Sequence, residues 1–122
     1  MDIRKLQKIA VAALEDIKAK DIEVLNTSKI SALFDRVIIA TGDSNRQVKA
    51  LARSVHDKVK EAGGQVIGIE GEEAGEWVLV DLGDIVVHVM QPAVRTYYNL
   101  EELWKVVPKR PRKKADADTE GE

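Results

Sequence analysis

The chain has 122 residues, of which 44% are hydrophobic and 33% are charged, and its net charge is -2. This size and composition predict one globular domain that buries roughly two thirds of its unfolded surface, and the charge argues against a protein that coats nucleic acid by bulk electrostatics. The lack of cysteine excludes disulfides and thiolate metal sites. Charges interrupt the apolar residues of the N-terminus, which argues against a signal peptide or a spanning segment. We therefore expect a cytoplasmic protein without a membrane partner.

The first half of the chain predicts a helix, two strands and a second helix. Apolar residues recur at helical spacing from about Asp2 to Lys20, with Asp2 as the N-cap. A short strand follows at Ile22 to Leu25, and the continuous apolar run from Arg36 to Thr41 indicates a strand that is buried on both faces. Ser44 and Gln47 form a capping box that begins the second helix, and a pair of glycines ends it.

A predicted β-hairpin is the most distinctive segment of the chain. It follows a third strand at Val66–Ile69, and its own strands are Glu76–Asp81 and Ile85–Met90, joined by a turn at Leu82-Gly83. In this register the facing pairs are Asp81 with Asp84, Leu79 with Val86, and Trp77 with His88.

The two faces of this hairpin carry different kinds of side chain. One face is uniformly β-branched and belongs in the core: Val78, Val80, Ile85, Val87 and Val89. The other face mixes Trp77, His88 and Met90 with two carboxylates. Such a mixture is typical of a surface that meets a partner.

The C-terminal part predicts one more helix and then a tail. Pro92 begins a short helix through Tyr97-Tyr98, and Asn99 caps a final turn. We expect the domain to span residues 1–107 and residues 108–122 to form a disordered charged tail, because the tail has no large apolar residue. The order α-β-β-α-β-β-β-α predicts an α+β fold, with a mixed β-sheet flanked by helices.

Candidates for catalysis are weak. The loop Thr41–Asn45 precedes a helix N-terminus, but it lacks the lysine of a P-loop, and Asp43 would repel a phosphate. Asp81 and Asp84 bracket a turn, where aspartate is favoured for its local hydrogen bonds. A nucleotide-binding or nucleotidyl-transfer enzyme that uses this loop and these aspartates is the alternative function. We expect no catalytic residue, no cofactor and no metal.

Three other features have a structural interpretation beside a functional one. His88 has no visible catalytic partner and is expected to pack against Trp77 across the hairpin. The stripe formed by Arg46, Lys49, Arg53 and Lys60 is a solvated helix face, or it contacts RNA phosphates. Leucine is unusual at a turn. Leu82 with Trp77, Met90, Tyr97 and Tyr98 forms either a second core layer or a partner surface.

Long strings of this sequence resemble the ribosomal silencing factor family, also called Iojap-like. They are DRVIIATGDSNRQVKALA (Asp35 to Ala52) and IEGEEAGEWVLVDLGDIVVHVMQPAVRTYYNLEELW (Ile69 to Trp104). The resemblance implies a nucleotidyltransferase-like fold without the catalytic set. It also implies a translation repressor that binds the large ribosomal subunit through ribosomal protein L14. This binding would sterically block association with the small subunit and lower translation under nutrient limitation or in stationary phase.

The family's partner surface, carried onto this chain, implies four partner-binding residues: Trp77, Leu82, Met90 and Tyr98. An interface rim of Asp81, Asp84 and Arg95 would set orientation more than strength. In this setting, the RNA that the basic stripe would contact is ribosomal RNA at the periphery of the interface. A homodimer that buries the same end of the hairpin is the alternative use of this surface.

Overall fold

The structure is a computed structural model that describes residues 1–100 and 102. Within them, three helices and five strands follow in the order α1 (Ile3–Asp16), β1 (Lys20–Asn26), β2 (Arg36–Thr41), α2 (Asn45–Glu61), β3 (Gly68–Glu70), β4 (Trp77–Asp81), β5 (Ile85–Met90) and α3 (Pro92–Tyr98). The predicted α+β fold and its element order are confirmed. The predicted tail, residues 108–122, lies outside the described residues.

The strands form one mixed sheet in the order β1-β2-β5-β4-β3. β2 and β5 are parallel, with Arg36 beside Ile85 and Thr41 beside Met90, whereas the other three pairs are antiparallel. β5 is the middle strand, and all six of its residues are buried. This pairing brings the ends of β2 and β5 to the same edge of the sheet, where α2 and α3 begin.

α1 and α2 cover one face of the sheet and form the main core with it. The predicted N-caps are confirmed: Asp2 accepts the N–H of Arg4 (3.1 Å), and Ser44 accepts the N–H of Gln47 (3.1 Å). The Gln47 side chain returns to the N–H of Asp43, one residue before the cap. α1 ends four residues earlier than predicted, because Lys18 takes a positive φ of 63° just after the helix ends.

The turn of the hairpin lies one residue later than predicted, which shifts the strand register by two residues. Trp77 now pairs with Met90, and Asp81 pairs with Val86. The turn centres on Gly83-Asp84, because Gly83 takes a φ of 90°, which a leucine at this position would adopt only with strain. Asp81 stabilises the turn by accepting the Gly83 N–H at 2.9 Å. Since the shift is even, every side chain stays on its predicted face.

The described part of the chain covers the second face of the sheet only in part. α3 folds back over the end of β5, where Val37, Ile39 and Met90 form a small buried cluster, and Val94 of α3 packs against it. Gln91, which precedes α3, contacts Asn45 of α2 and donates from its amide to the carbonyl of Gly75 (3.2 Å). This side chain links α3 to the other helical layer and to the loop before β4.

The loop before β4 provides a test of how Trp77 is placed. Gly71 has a φ of 89°, and a Cβ there would overlap the carbonyl oxygen of Trp77. Gly63 has a similar φ of 87° but open space around it. We expect Gly63→Ala to lower the free energy of unfolding by about 1–2 kcal/mol, and Gly71→Ala to lower it by about 1–3 kcal/mol more because of the overlap. Urea denaturation measures both, and equal losses would contradict this packing.

Candidate partner-binding surface

Three aromatic side chains cluster where β4 begins and α3 ends. The Trp77 and Tyr98 rings lie 4.9 Å apart at 48°, and the Tyr97 ring meets Tyr98 edge-on, also at 4.9 Å. Tyr97 is 81% exposed and Tyr98 is 53% exposed, whereas Trp77 is partly buried. We call these three residues the aromatic patch. It is an exposed, preorganised group of the side chains that dominate protein interfaces.

Trp77 is fixed from the inside of the protein by His88. Its indole Nε1–H donates to His88 Nδ1 at 3.0 Å, and the two rings are 5.9 Å apart. The predicted contact between these two residues is confirmed, although it runs diagonally because Trp77 pairs with Met90. His88 is 8% exposed, and burial lowers its pKa to about 4. The imidazole is therefore neutral at physiological pH, with Nδ1 free to accept the indole proton.

The four residues predicted to bind the partner do not all lie on the same surface. It brings Trp77, Met90 and Tyr98 together, but Met90 is fully buried in the cluster beneath Trp77. The prediction that Leu82 joins this group is wrong, because Leu82 packs in the main core on the opposite face and is 4% exposed. With the turn one residue later, Leu82 continues the alternation of β4 and points inward.

The three residues predicted to form a charged rim are not gathered around the aromatic patch. Asp81 and Asp84 lie at the tip of the hairpin, about 17 Å along β5 from Met90. Arg95 donates from Nη1 to Thr41 Oγ1 (2.8 Å) and to the carbonyl of Asp21 (2.5 Å). Arg95 therefore fixes α3 against the edge of the sheet.

A shallow groove of about 630 Å³ extends from His88 along the uncovered part of the sheet face. Its apolar lining comes from Leu33, Phe34, Ile67, Leu79 and Val86, and its acidic residues are Glu70, Asp81 and Asp84. Leu33 is 84% exposed and Ile67 is 61% exposed. This groove was not predicted from the sequence. The available signal was the adjacent apolar pair Leu33-Phe34 in the connection between β1 and β2.

The alternative nucleotide site is not assembled. β2 ends at Thr41 beside Met90, whereas Asp84 lies next to the start of β5, so the loop and the aspartates are at opposite ends of the sheet. Asp43, at the N-terminus of α2, forms an ion pair with Lys20 at 2.8 Å. Within residues 1–100 and 102, no cluster of three or more potential metal ligands occurs.

The predicted basic stripe lies on α2, across the sheet from the aromatic patch. Arg53 pairs there with Glu72 at 2.7 Å, so one of the four charges of the stripe is already compensated within the protein.

None of the helices in the described part of the chain is long and apolar enough to span a membrane.

Comparison with known proteins identifies the family of this chain. The model of the family described as "Ribosomal silencing factor during starvation" matches residues 1–122. The chain belongs to this family. The silencing factor RsfS of Chromobacterium violaceum is 65% identical over 104 residues, which are 85% of each chain. A crystal structure of a protein from the same organism has a TM-score of 0.85 and 62% identity, covering 92% of each chain. The predicted resemblance to silencing factors is thus confirmed.

A more distant relative has a name that concerns ribosome assembly. The mouse protein "Mitochondrial assembly of ribosomal large subunit protein 1" is 32% identical over 97 residues, which are 77% of this chain and 42% of the mouse protein.

Burial of His88 makes the stability of this silencing factor depend on pH. The folded pKa of about 4 lies below the ordinary value of 6.5, so the unfolded chain takes up the proton first as the pH falls. The stability that depends on this difference between the folded and unfolded pKa of His88 is complete above pH 6.5 and is lost as the pH falls towards 4. We expect the free energy of unfolding to fall by about 2 kcal/mol more between pH 7.5 and 5.0 in wild type than in His88→Phe. Urea denaturation of both proteins at both pH values measures this, and an equal fall in the two would contradict buried His88 as its cause.

Proposed function

We propose that this member of the ribosomal silencing factor family binds the large ribosomal subunit through ribosomal protein L14 and so prevents association with the small subunit. The observation that carries the proposal is the aromatic patch on a sheet face that α3 covers only at one end. The family description, silencing during starvation, supports repression of translation under nutrient limitation. The name of the mouse relative supports the large subunit as the partner.

The exposure of the patch supports a role in binding. Tyr97, 81% exposed, contributes little to the core, and exposed aromatic clusters next to an apolar groove are features of interaction sites. Trp77 presents a flat ring surface, and Tyr98 adds a ring with a polar hydroxyl, which suits the centre of an interface. Burial of these rings against a partner would release the water that now covers them.

The two buried members of the predicted site have different places in this proposal. Met90 lies beneath Trp77 with no exposed surface, so its contribution is to support the anchor from below. Leu82 lies in the main core, and a substitution there would act through folding. The direct contacts in the proposed interface are therefore Trp77, Tyr97 and Tyr98.

The groove extends the proposed interface towards the tip of the hairpin. Its apolar lining suits burial, and the acidic side chains of Glu70, Asp81 and Asp84 suit a partner with basic groups. These charges would favour one orientation of the bound protein and would act mainly on the rate of association. In this way Asp81 and Asp84 keep a rim role, but at the groove.

The proposed mechanism is steric and needs no catalytic group. The loop and the aspartates of the alternative enzyme site lie at opposite ends of the sheet, which supports a non-enzymatic function. A protein docked on the face where the subunits meet lowers translation by occupying space, for as long as it stays bound. The proposal places this action in the cytoplasm, with the ribosomes.

The anchor role of Trp77 can be tested by cosedimentation with purified large subunits. We expect Trp77→Ala to weaken binding about thirtyfold, equivalent to about 2 kcal/mol, as for a central anchor. Ile17→Ala is the matched control, because Ile17 is also an exposed apolar side chain (36%) but lies at the end of α1 in the other layer. Unchanged binding of a folded Trp77→Ala protein would refute the proposed anchor.

Subunit association provides a second test, this time of the mechanism. Purified subunits mixed with excess wild-type protein should show more free subunits and fewer joined ribosomes in a density gradient. Trp77→Ala should leave joining close to the level without added protein, because it binds too weakly to compete. If the wild-type protein binds large subunits and joining is still complete, steric exclusion is wrong even though the partner is right.

A further inference from the structure

The hydrogen bond between Trp77 and His88 joins an interface side chain to a buried one. Trp77 is partly exposed and belongs to the aromatic patch, whereas His88 is 8% exposed. The indole N–H is the only hydrogen-bond donor of a tryptophan side chain. In this protein it is directed at the buried Nδ1, 3.0 Å away, so the polar edge of the ring is satisfied inside the protein.

The surroundings of His88 keep it in the accepting form. Its neighbours in register on the adjacent strands are Leu79 and Ile39, and Val86 and Met90 flank it on the same face of β5. An imidazole among these apolar side chains stays neutral, because burial penalises the charged form. With Nδ1 accepting from the indole, the ring proton is on Nε2.

Trp77 is therefore held at two places. Its N–H edge is bonded to His88, and its ring packs against Tyr98 at 4.9 Å. A side chain held in this way has few rotamers to lose on binding, which favours affinity without any added contact. If the bond is removed, the indole can rotate about its side-chain dihedrals and its N–H needs another acceptor.

We propose that His88 is a positioning residue for partner binding, which acts by accepting the indole N–H of Trp77 and so fixing the orientation of that ring. This inference rests on the proposed function, in which Trp77 is the anchor. It assigns a binding role to a residue that is almost entirely buried.

A double-mutant cycle on binding to purified large subunits tests the coupling. His88→Phe keeps a ring but removes the acceptor, and Trp77→Phe keeps a ring but removes the donor. His88→Asn is the conservative control, because its amide oxygen can replace Nδ1 as acceptor. We expect His88→Phe to weaken binding about fivefold, the effect of one hydrogen bond, and His88→Asn to stay within about twofold of wild type.

The same substitution should have no further effect once the donor is gone. In the Trp77→Phe background, His88→Phe should leave the affinity unchanged, because the bond that it breaks no longer exists. Fully additive losses would show that His88 acts only through general stability, and this would overturn the inference. If His88→Phe does not fold, Trp77→Phe alone decides, since wild-type affinity of that folded variant also contradicts a role for the bond.

The indole N–H signal in a ¹H–¹⁵N spectrum gives a readout that does not involve the ribosome. The chain has two tryptophans, Trp77 and Trp104, and the signal lost in Trp77→Phe identifies the relevant one. That signal should shift in His88→Phe and stay near its wild-type position in His88→Asn. A shift in His88→Phe with unchanged affinity would refute the positioning role and leave the proposed function intact. Unchanged affinity of Trp77→Ala would instead refute the anchor itself.

Discussion

The parallel pairing of β2 with β5 is the constraint on which the rest of the structure depends. Parallel neighbours cannot be joined by a tight turn, so the chain must cross over between them, and here the crossover contains α2, β3 and β4. α2 packs beside α1 on one face of the sheet. Both long helices are then used on that face, and among residues 1–100 and 102 only the seven-residue α3 remains for the other.

This uneven coverage explains why core and candidate interface share one sheet face. α3 buries Met90, Val37 and Ile39 but ends before it reaches the tip of the hairpin. The side chains at the margin of α3 are therefore neither fully buried nor fully exposed: Trp77 is partly buried, and its neighbour Tyr98 is half exposed. A surface of this kind is rigid before its partner arrives, because the same contacts that complete the core also orient the exposed rings.

Local features of this fold could be predicted from the sequence, and features that depend on strand order could not. The caps at Asp2 and Ser44 and the two faces of the hairpin follow from short-range chemistry and alternation. The sequence did not decide the position of the turn, because a Leu82-Gly83 turn and a Gly83-Asp84 turn both contain the glycine. In the structure, Gly83 is the first of the two turn residues. The groove was missed because Leu33 and Ile67 come from distant segments, which meet only once β2, β5, β4 and β3 are placed side by side.

The side chain of Gln91 has a consequence for how the two helical layers depend on each other. A residue at the N-cap of a helix commonly bonds to that helix, but the amide of Gln91 is directed towards Asn45 and Gly75 instead. The start of α3 is thus set by the first residue of α2 and by the length of the loop before β4. That loop acts as a spacer, and the height at which Tyr97 and Tyr98 stand above the sheet is a property of segments that no partner at the aromatic patch would contact.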